Sequence, residues 1–123
     1  MSEERPRKIR VAFPTKSGKG LEDALSEVFG RAEYFTIVDL VNGSIDEVEV
    51  VKNPVISYKH GVGPIVAKML IDMGVKFVGA GELGPGVSEL LEQNNVKSFR
   101  IQEGIMVKDA VEILLKKLVE GAQ

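Results

Sequence analysis

Short apolar runs alternate along the chain with longer stretches whose apolar residues recur every three or four positions. The short runs are rich in β-branched and aromatic side chains and predict five strands, at residues 9–13, 34–41, 45–51, 77–80 and 96–101. The longer spacing predicts four helices, which begin at Leu21, Ile65, Val87 and Val107. Pro14 is expected to end the first strand, and Gly30 and Gly74 are expected to end the first two helices.

A β-hairpin is predicted where the second and third runs meet at Asn42-Gly43, the dipeptide preferred in a type I′ turn. Glutamates and valines alternate at positions 47–50 of the second arm. Such alternation leaves one face of a strand wet, so this arm is expected to lie near an edge of the sheet.

The order of these elements predicts a three-layer α/β/α fold around a mixed five-stranded sheet with an early β-hairpin. Strands one, four and five are expected to run parallel, with helices on both faces. This arrangement resembles the ribonuclease H architecture. We expect a single domain at residues 9–119, a basic lead-in at 1–8 and a tail at 120–123.

Composition excludes several classes of protein. The 123 residues are 44% hydrophobic and 28% charged, as in an ordinary globular domain, and the formal net charge is -2. That charge provides no global attraction for nucleic acid or an anionic membrane. The basic residues Arg5, Arg7, Lys8 and Arg10 lack interleaved aromatics, so we expect a solvated lead-in rather than a nucleic-acid site.

The chain has no cysteine, so it cannot by itself form disulfides, zinc-thiolate sites or cysteine-ligated iron-sulfur clusters. No apolar signal segment is present at the N-terminus, and no apolar run approaches the roughly 20 residues of a membrane span. A cytoplasmic protein is therefore predicted.

Two glycine-rich loops resemble nucleotide-binding motifs only weakly. Residues 79–84 match G-x-G-x-x-G, but Gly79 falls inside the predicted strand, whereas the first glycine of the motif should follow the strand. Residues 16–20 lack the glycine and the hydroxyl residue that a phosphate-binding loop requires. Because the exits of parallel strands form the ligand crevice of an open α/β sheet, loops 14–20 and 81–86 are expected to meet there.

Enzymatic motifs are not found. Ribonuclease H-like nucleases hold metal ions with carboxylates on strands, and neither 9–13 nor 77–80 carries one. Asp39, alone among hydrophobic residues, is expected to be exposed rather than catalytic. No G-x-S-x-G motif accompanies the single histidine, so nucleophilic catalysis is not indicated, and no pair of acids stands out for acid-base chemistry.

That histidine lies in the most informative stretch, His60-Gly61-Val62-Gly63-Pro64, which opens a predicted helix. Imidazole can ligate a metal, glycines let a ligand approach the backbone, and free amides at a helix start attract anions. The same pattern is also typical of a loop that only leads into a helix.

Several motifs occur together in a fixed order: Phe29-Gly30-Arg31-Ala32, the 60–64 stretch, Gly74-Val75, and Gly79-Ala80-Gly81 with Gly84. Over residues 9–118 the chain resembles the dinitrogenase iron-molybdenum cofactor biosynthesis family. The resemblance implies a ribonuclease H-like fold and a protein that carries or assembles metal-sulfur clusters rather than catalyses a reaction. The cluster could be of iron-molybdenum, iron-sulfur or molybdenum-copper type, with donor and acceptor proteins as partners.

The resemblance also implies site residues. His60 matches a histidine of some cofactor-binding relatives, and Arg31 belongs to the Phe-Gly-Arg signature, where it could contact ligand or clamp loop carbonyls. The resemblance to cofactor-assembly relatives also implies a cysteine near this loop, but this chain has none. A thiometallate brings its own sulfides, so cations and amides can replace thiolates. The predicted cluster-binding set, with His60 as the possible metal ligand, is His60, Gly61, Gly63, Arg31, Lys16, Lys19, Lys59, Gly81 and Gly84.

The leading hypothesis is non-catalytic binding and delivery of an anionic metal-sulfur cluster at the strand-exit crevice. A small-molecule or nucleotide-phosphate sensor that uses the same loops is an alternative, as is a protein-interaction module without a ligand. The chain is expected to be a monomer or a small homo-oligomer.

Overall fold

The structure, a computed structural model, describes residues 7–121, so Arg5 and most of the predicted lead-in and the last two residues of the tail lie outside it. The elements, in chain order, are β1 Lys8–Thr15, a short 3-10 helix Gly20–Glu22, β2 Tyr34–Val41, β3 Ser44–Lys52, α1 Val62–Asp72, β4 Phe77–Ala80, α2 Pro85–Gln93, β5 Lys97–Arg100 and α3 Val107–Gly121. The predicted basic lead-in thus overlaps the first strand at Lys8.

The five strands form one mixed sheet in the order β3-β2-β1-β4-β5. As predicted, β1, β4 and β5 are parallel, while β2 is antiparallel to both β1 and β3. The carboxyl ends of the parallel strands therefore share one edge of the sheet, which we call the strand-exit edge. Thr15 pairs with Tyr34 and Tyr34 with Lys52, so the β1–β2 and β3–α1 connections begin at this same edge.

The predicted hairpin is confirmed. Asn42 and Gly43 both have positive φ, 52° and 83°, as a type I′ turn requires. The second arm, β3, lies at the edge of the sheet, and almost all of its residues are exposed. A register irregularity between Asp39 and Leu40 leaves Asp46 as an extra residue in β3.

Helices cover both faces of the sheet. One core cluster joins α1 and α2 to the face that carries Ala12, Ile37 and Val78. The other joins α3 to the opposite face, which carries Val11 and Val38. The three-layer arrangement follows, because adjacent residues of each strand bury their side chains in different clusters.

Gly79 has a packing role that accounts for its place inside β4. A Cβ at this position would lie 2.6 Å from ring atoms of both Phe13 and Phe99. These two rings pack edge to face, with centroids 6.1 Å apart. The glycine makes room for the aromatic pair, which agrees with the weak match of this segment to a dinucleotide motif.

The helix predicted to begin at Leu21 is wrong. Only Gly20–Glu22 form a short 3-10 turn, and the following residues are irregular. Their backbone groups bond elsewhere in the chain: Leu25 N donates to Ile105 O at 2.9 Å, and Ser26 N donates to Pro14 O at 2.8 Å. These long-range bonds replace the helical ones, and sequence spacing cannot reveal them.

The end of β1 was also predicted wrongly, since the strand continues through Pro14 to Thr15. Lys76 N donates to Arg10 O, so the backbone N–H and C=O groups of the even-numbered residues of β1 point towards β4 rather than β2. The missing N–H of Pro14 therefore costs no bond to β2.

Asp39 is 4% exposed, which contradicts the expectation that it is exposed. Arg10 Nε donates to its Oδ1 at 2.7 Å, and the Arg10 guanidinium also donates to Met73 O at the end of α1. Arg10 is thus part of a structural ion pair rather than of a solvated lead-in. The hydrogen bond from Arg10, opposed by burial and assisted by the charges of Arg10 and Lys8, lowers the pKa of Asp39.

Candidate functional site

Helix α1 begins at the strand-exit edge with unpartnered backbone amides. Its N-cap is Gly61, whose φ of 74° favours glycine. No side chain caps this end, and the first turn holds no acidic residue. The first helical bond runs from Ile65 N to Gly61 O at 3.3 Å, so the Val62 and Gly63 amides have no partner within the helix.

Helix α2 begins in a similar way. Its N-cap, Gly84, has extended backbone angles, Pro85 occupies the first turn, and there is again no side-chain cap and no first-turn acid. Ser88 N donates to Gly84 O at 3.0 Å, so the Gly86 and Val87 amides precede the helical bonds. Each helix start therefore offers two backbone donors to an anion.

The two helix starts are in contact, and glycines make this possible. A Cβ on Gly63 would lie 2.8 Å from Val87 Cγ2, and a Cβ on Gly30 would lie 3.0 Å from both N and Cα of Gly63. We call residues 61–63 and 84–87 the paired helix starts. Gly30 belongs to the β1–β2 connection, so three separate segments of the chain meet here.

Arg31 clamps the loop that leads into α1. Its Nη1 donates to Ile56 O and its Nη2 donates to Lys59 O, both at 3.0 Å. This is the loop-clamp role considered from the sequence. The clamp holds Lys59 and the neighbouring His60 beside the start of α1, and both side chains are exposed. Contact of Arg31 with a ligand remains a prediction.

Asn53 organises the same region and was missed by sequence reasoning. It is 4% exposed, and its Nδ2 donates to Gly30 O at 2.9 Å and to Ala32 O at 2.8 Å. Its Oδ1 accepts a bond from Val55 N at 2.9 Å. The Asn-Pro dipeptide after β3 was a usable signal, because asparagine before proline favours such a turn.

The lysines of the first loop do not join this group. A Cβ on Gly18 would lie 3.9 Å from Val50 Cγ1, which places the loop on the α3 side of the hairpin. Ser17 donates through N and Oγ to the buried carboxylate of Asp23, at 3.0 and 2.9 Å. Among the described contacts, none connects Lys16 or Lys19 to the paired helix starts.

Gly81 lies at the exit of β4, beside backbone carbonyls. A Cβ there would lie 3.9 Å from Ile101 O and 4.0 Å from Glu27 O. The segment around Glu27, rather than the 14–20 loop, is therefore the neighbour of Gly81 in the β1–β2 connection. Of the predicted set, the structure brings together Gly61, Gly63 and Gly84 at the paired helix starts. Lys59 and His60 lie in the adjoining loop, and Arg31 clamps that loop from the β1–β2 connection.

Within residues 7–121, no three His, Asp or Glu side chains are arranged to hold a metal ion. The same part of the chain contains no helix that is long and apolar enough to cross a membrane. The arrangement at the strand-exit edge is thus one of backbone donors and exposed cations rather than of clustered metal ligands.

Comparisons with known proteins agree with this fold. A family model described as dinitrogenase iron-molybdenum cofactor matches residues 7–117. The apo form of the orange protein from Desulfovibrio gigas is 29% identical, with a TM-score of 0.79 over 88% of each chain. A candidate NifB protein from Thermotoga is 36% identical, with a TM-score of 0.68, again over 88% of each chain.

An uncharacterized protein of Methanocaldococcus jannaschii is similar in sequence, 29% identical over 92 residues that span 75% of this chain and 74% of its own. The family model covers almost the whole chain, and the solved relatives share its sheet and helices. This chain therefore belongs to the dinitrogenase iron-molybdenum cofactor family.

Proposed function

We propose that this protein binds and carries an anionic metal-sulfur cluster at the paired helix starts, without catalysing a reaction. The observation that carries the proposal is the contact between two uncapped helix starts at the strand-exit edge, through Gly63 and Val87. The two contacting helix starts together have four amides without helical partners, and each helix adds the positive end of its dipole.

Backbone amides suit this cargo because a thiometallate presents sulfides that accept hydrogen bonds and supplies all the thiolate-like ligands itself. Side-chain charge contributes less, since Glu27 and Glu82 lie on the same connections as the cations of this edge. Selectivity would then rest on amide geometry and shape. The absence of cysteine from the chain agrees with a cluster that is held without covalent thiolate bonds.

The clamped loop would supply the remaining contacts. Arg31 fixes the carbonyls of Ile56 and Lys59, which positions the exposed Lys59 and His60 at the rim of the paired helix starts. His60 would add a coordinate bond or a hydrogen bond to a sulfide. Gly81 lies at the exit of β4, and Lys16 and Lys19 lie in the loop on the α3 side of the hairpin, so these residues would contact only a larger cluster or an approaching partner.

The family description supports a metal-containing cargo, because it names the iron-molybdenum cofactor of dinitrogenase. Iron-molybdenum, iron-sulfur and molybdenum-copper clusters all present sulfide to a host. We propose that the protein receives such a cluster from a donor protein and releases it to an acceptor, with hydrogen bonds rather than thiolate bonds to break on release.

An acidic N-cap tests this proposal directly. In Gly84→Asp the new carboxylate would bond the amides that the cluster needs, and a Cβ at this position meets nothing within 4 Å. In anaerobic titrations with tetrathiomolybdate, followed by absorbance, we expect binding to weaken by about tenfold or more. Gly84→Ala, which adds the Cβ without the charge, should bind like the unmodified chain.

Further binding and thermal-stability measurements distinguish the role of His60, the amide site and the alternative phosphate sensor. Loss of affinity in His60→Ala would assign the histidine to the cluster, while unchanged affinity would leave only the amides and cations. Equal binding by Gly84→Asp and Gly84→Ala would contradict the amide site. Saturable thermal stabilisation by a nucleotide, with none by tetrathiomolybdate, would favour the phosphate sensor instead.

A further inference from the structure

The contact between the two helix starts depends on the missing side chain of Gly63. This residue lies in the first turn of α1 and does not have the positive φ of Gly61, so its backbone conformation would accept alanine. Space excludes a side chain there instead, because a Cβ would lie 2.8 Å from Val87 Cγ2. The glycine therefore serves the close approach of α2 rather than an unusual backbone conformation.

Val87 fills the place that a side chain at Gly63 would take, and it is held there. It is 7% exposed and belongs to the core cluster under α1 and α2. Because a valine in a helix has one strongly preferred χ1 rotamer, it cannot turn aside as an unbranched side chain could. Gly63 is also in close contact with Gly30. A Cβ at Gly63 would consequently push the two helix starts apart.

Prolines limit the free amides to one adjacent pair on each helix. Pro64 follows Val62 and Gly63 in the first turn of α1, and Pro85 is the first residue of α2. Since proline has no N–H, each removes one of the amides that the first turn of a helix leaves free. An anion that uses all the remaining donors must therefore bond to both helices at once.

We propose, on the basis of the function proposed above, that Val87 is a specificity-determining residue of this site. Packed against Gly63, it sets the separation of the two amide pairs, and this separation selects a compact thiometallate over a larger cluster of the same charge. A compact tetrahedral anion can present sulfides to both helix starts while these are in contact. A larger body spreads its sulfides more widely and forms good hydrogen bonds with one pair while the other pair is poorly aligned.

A single methyl group tests this role. Gly63→Ala widens the separation but keeps every donor, because alanine retains its N–H. We would titrate the full chain anaerobically with two dianions of different size, tetrathiomolybdate and a water-soluble 4Fe–4S cluster capped by small thiolates. The unmodified chain should prefer tetrathiomolybdate. In Gly63→Ala this preference should fall by about tenfold or more, because the compact anion loses a hydrogen bond that the larger one does not make well.

A second substitution separates the spacing from the methyl group itself. Gly63→Ala/Val87→Ala keeps the added methyl and removes the two methyl groups that it would meet, so the preference should return to within about threefold of that of the unmodified chain. Val87→Ala alone completes the cycle. The matched control is Gly121→Ala, in the last turn of α3, where a Cβ would meet no described atom within 4 Å. It should leave the preference unchanged.

The ratio of the two affinities is the decisive measurement, because general damage to the fold would weaken both dianions alike. Three results would overturn the proposal: an unmodified chain that prefers the larger dianion, an unchanged preference in Gly63→Ala, or a double variant that stays as unselective as Gly63→Ala. In each case tetrathiomolybdate would still bind, and Gly84→Asp would still weaken that binding. If the unmodified chain binds neither dianion, the proposed function itself fails, and the role of Val87 fails with it.

Discussion

Two loops at the strand-exit edge are each held by polar side chains, but with different consequences. The 53–61 loop is tied by Asn53 and Arg31 to segments 21 to 28 residues away in the sequence. The 16–20 loop is tied by Asp23, only six residues from Ser17. Long-range ties assemble the paired helix starts from separate segments, whereas the local tie shapes a loop that stands apart from them.

The largest loss is expected when the long-range tie at Asn53 is removed. Asn53→Ala leaves the Gly30 and Ala32 carbonyls and the Val55 amide without their partner in a buried place, so the free energy of unfolding should fall by about 3 kcal/mol. Urea denaturation measures this change. Tetrathiomolybdate affinity should fall too, since Gly30 would no longer be fixed against Gly63.

Asn53→Asp is the matched control, because it keeps the acceptor for Val55 N and removes only the donor to the two carbonyls. Its stability should still drop substantially. A loss below about 1 kcal/mol in Asn53→Ala would mean that water replaces these bonds and that the tie does not organise the region.

Removal of the local tie should have a smaller and separable effect. Asp23→Ala frees Ser17 and the Ala24 amide, and we expect the free energy of unfolding to fall by about 2 kcal/mol. Affinity for tetrathiomolybdate should stay within about twofold of the unmodified chain. A larger change in affinity would return Lys16 and Lys19 to the cluster site and erase the contrast between the two loops.

The contrast also explains which parts of the fold were predictable. The hairpin was predicted correctly because the Asn42-Gly43 turn is specified by two adjacent residues with positive φ. The helix expected at residues 21–29 failed because bonds such as Leu25 N to Ile105 O, across most of the chain, determine that segment. Rules based on neighbouring residues detect turns and periodicity, but they cannot identify hydrogen-bond partners that are distant in the sequence and meet only in the folded chain.

The same difference between local signals and long-range contacts applies to the residues of the candidate site. Gly61 and Gly84 could be expected at helix starts from a local signal, and both are N-caps in the structure, while their contact with a ligand stays a prediction. Asn53 was missed, and Lys16 was placed in the group, because only the folded chain shows which loop turns to which face. The contact of Gly63 with Val87 likewise depends on how two helices pack.

The smallest expected effect on stability comes from Arg31→Lys, and it separates the clamp from the fold. A lysine ammonium cannot reproduce the planar fork that bonds Ile56 O and Lys59 O together, so one of these bonds should be lost. Because the bonds lie in an exposed place, unfolding free energy should fall by only about 0.5–1 kcal/mol. Arg100→Lys, at the exposed end of β5, is the control and should be neutral.

Hydrogen exchange should nevertheless show faster exchange at residues 56–61 in Arg31→Lys, because the loop opens locally without global unfolding. If exchange there is unchanged while tetrathiomolybdate affinity falls, Arg31 contacts the cluster itself and the 53–61 loop is held by Asn53 alone.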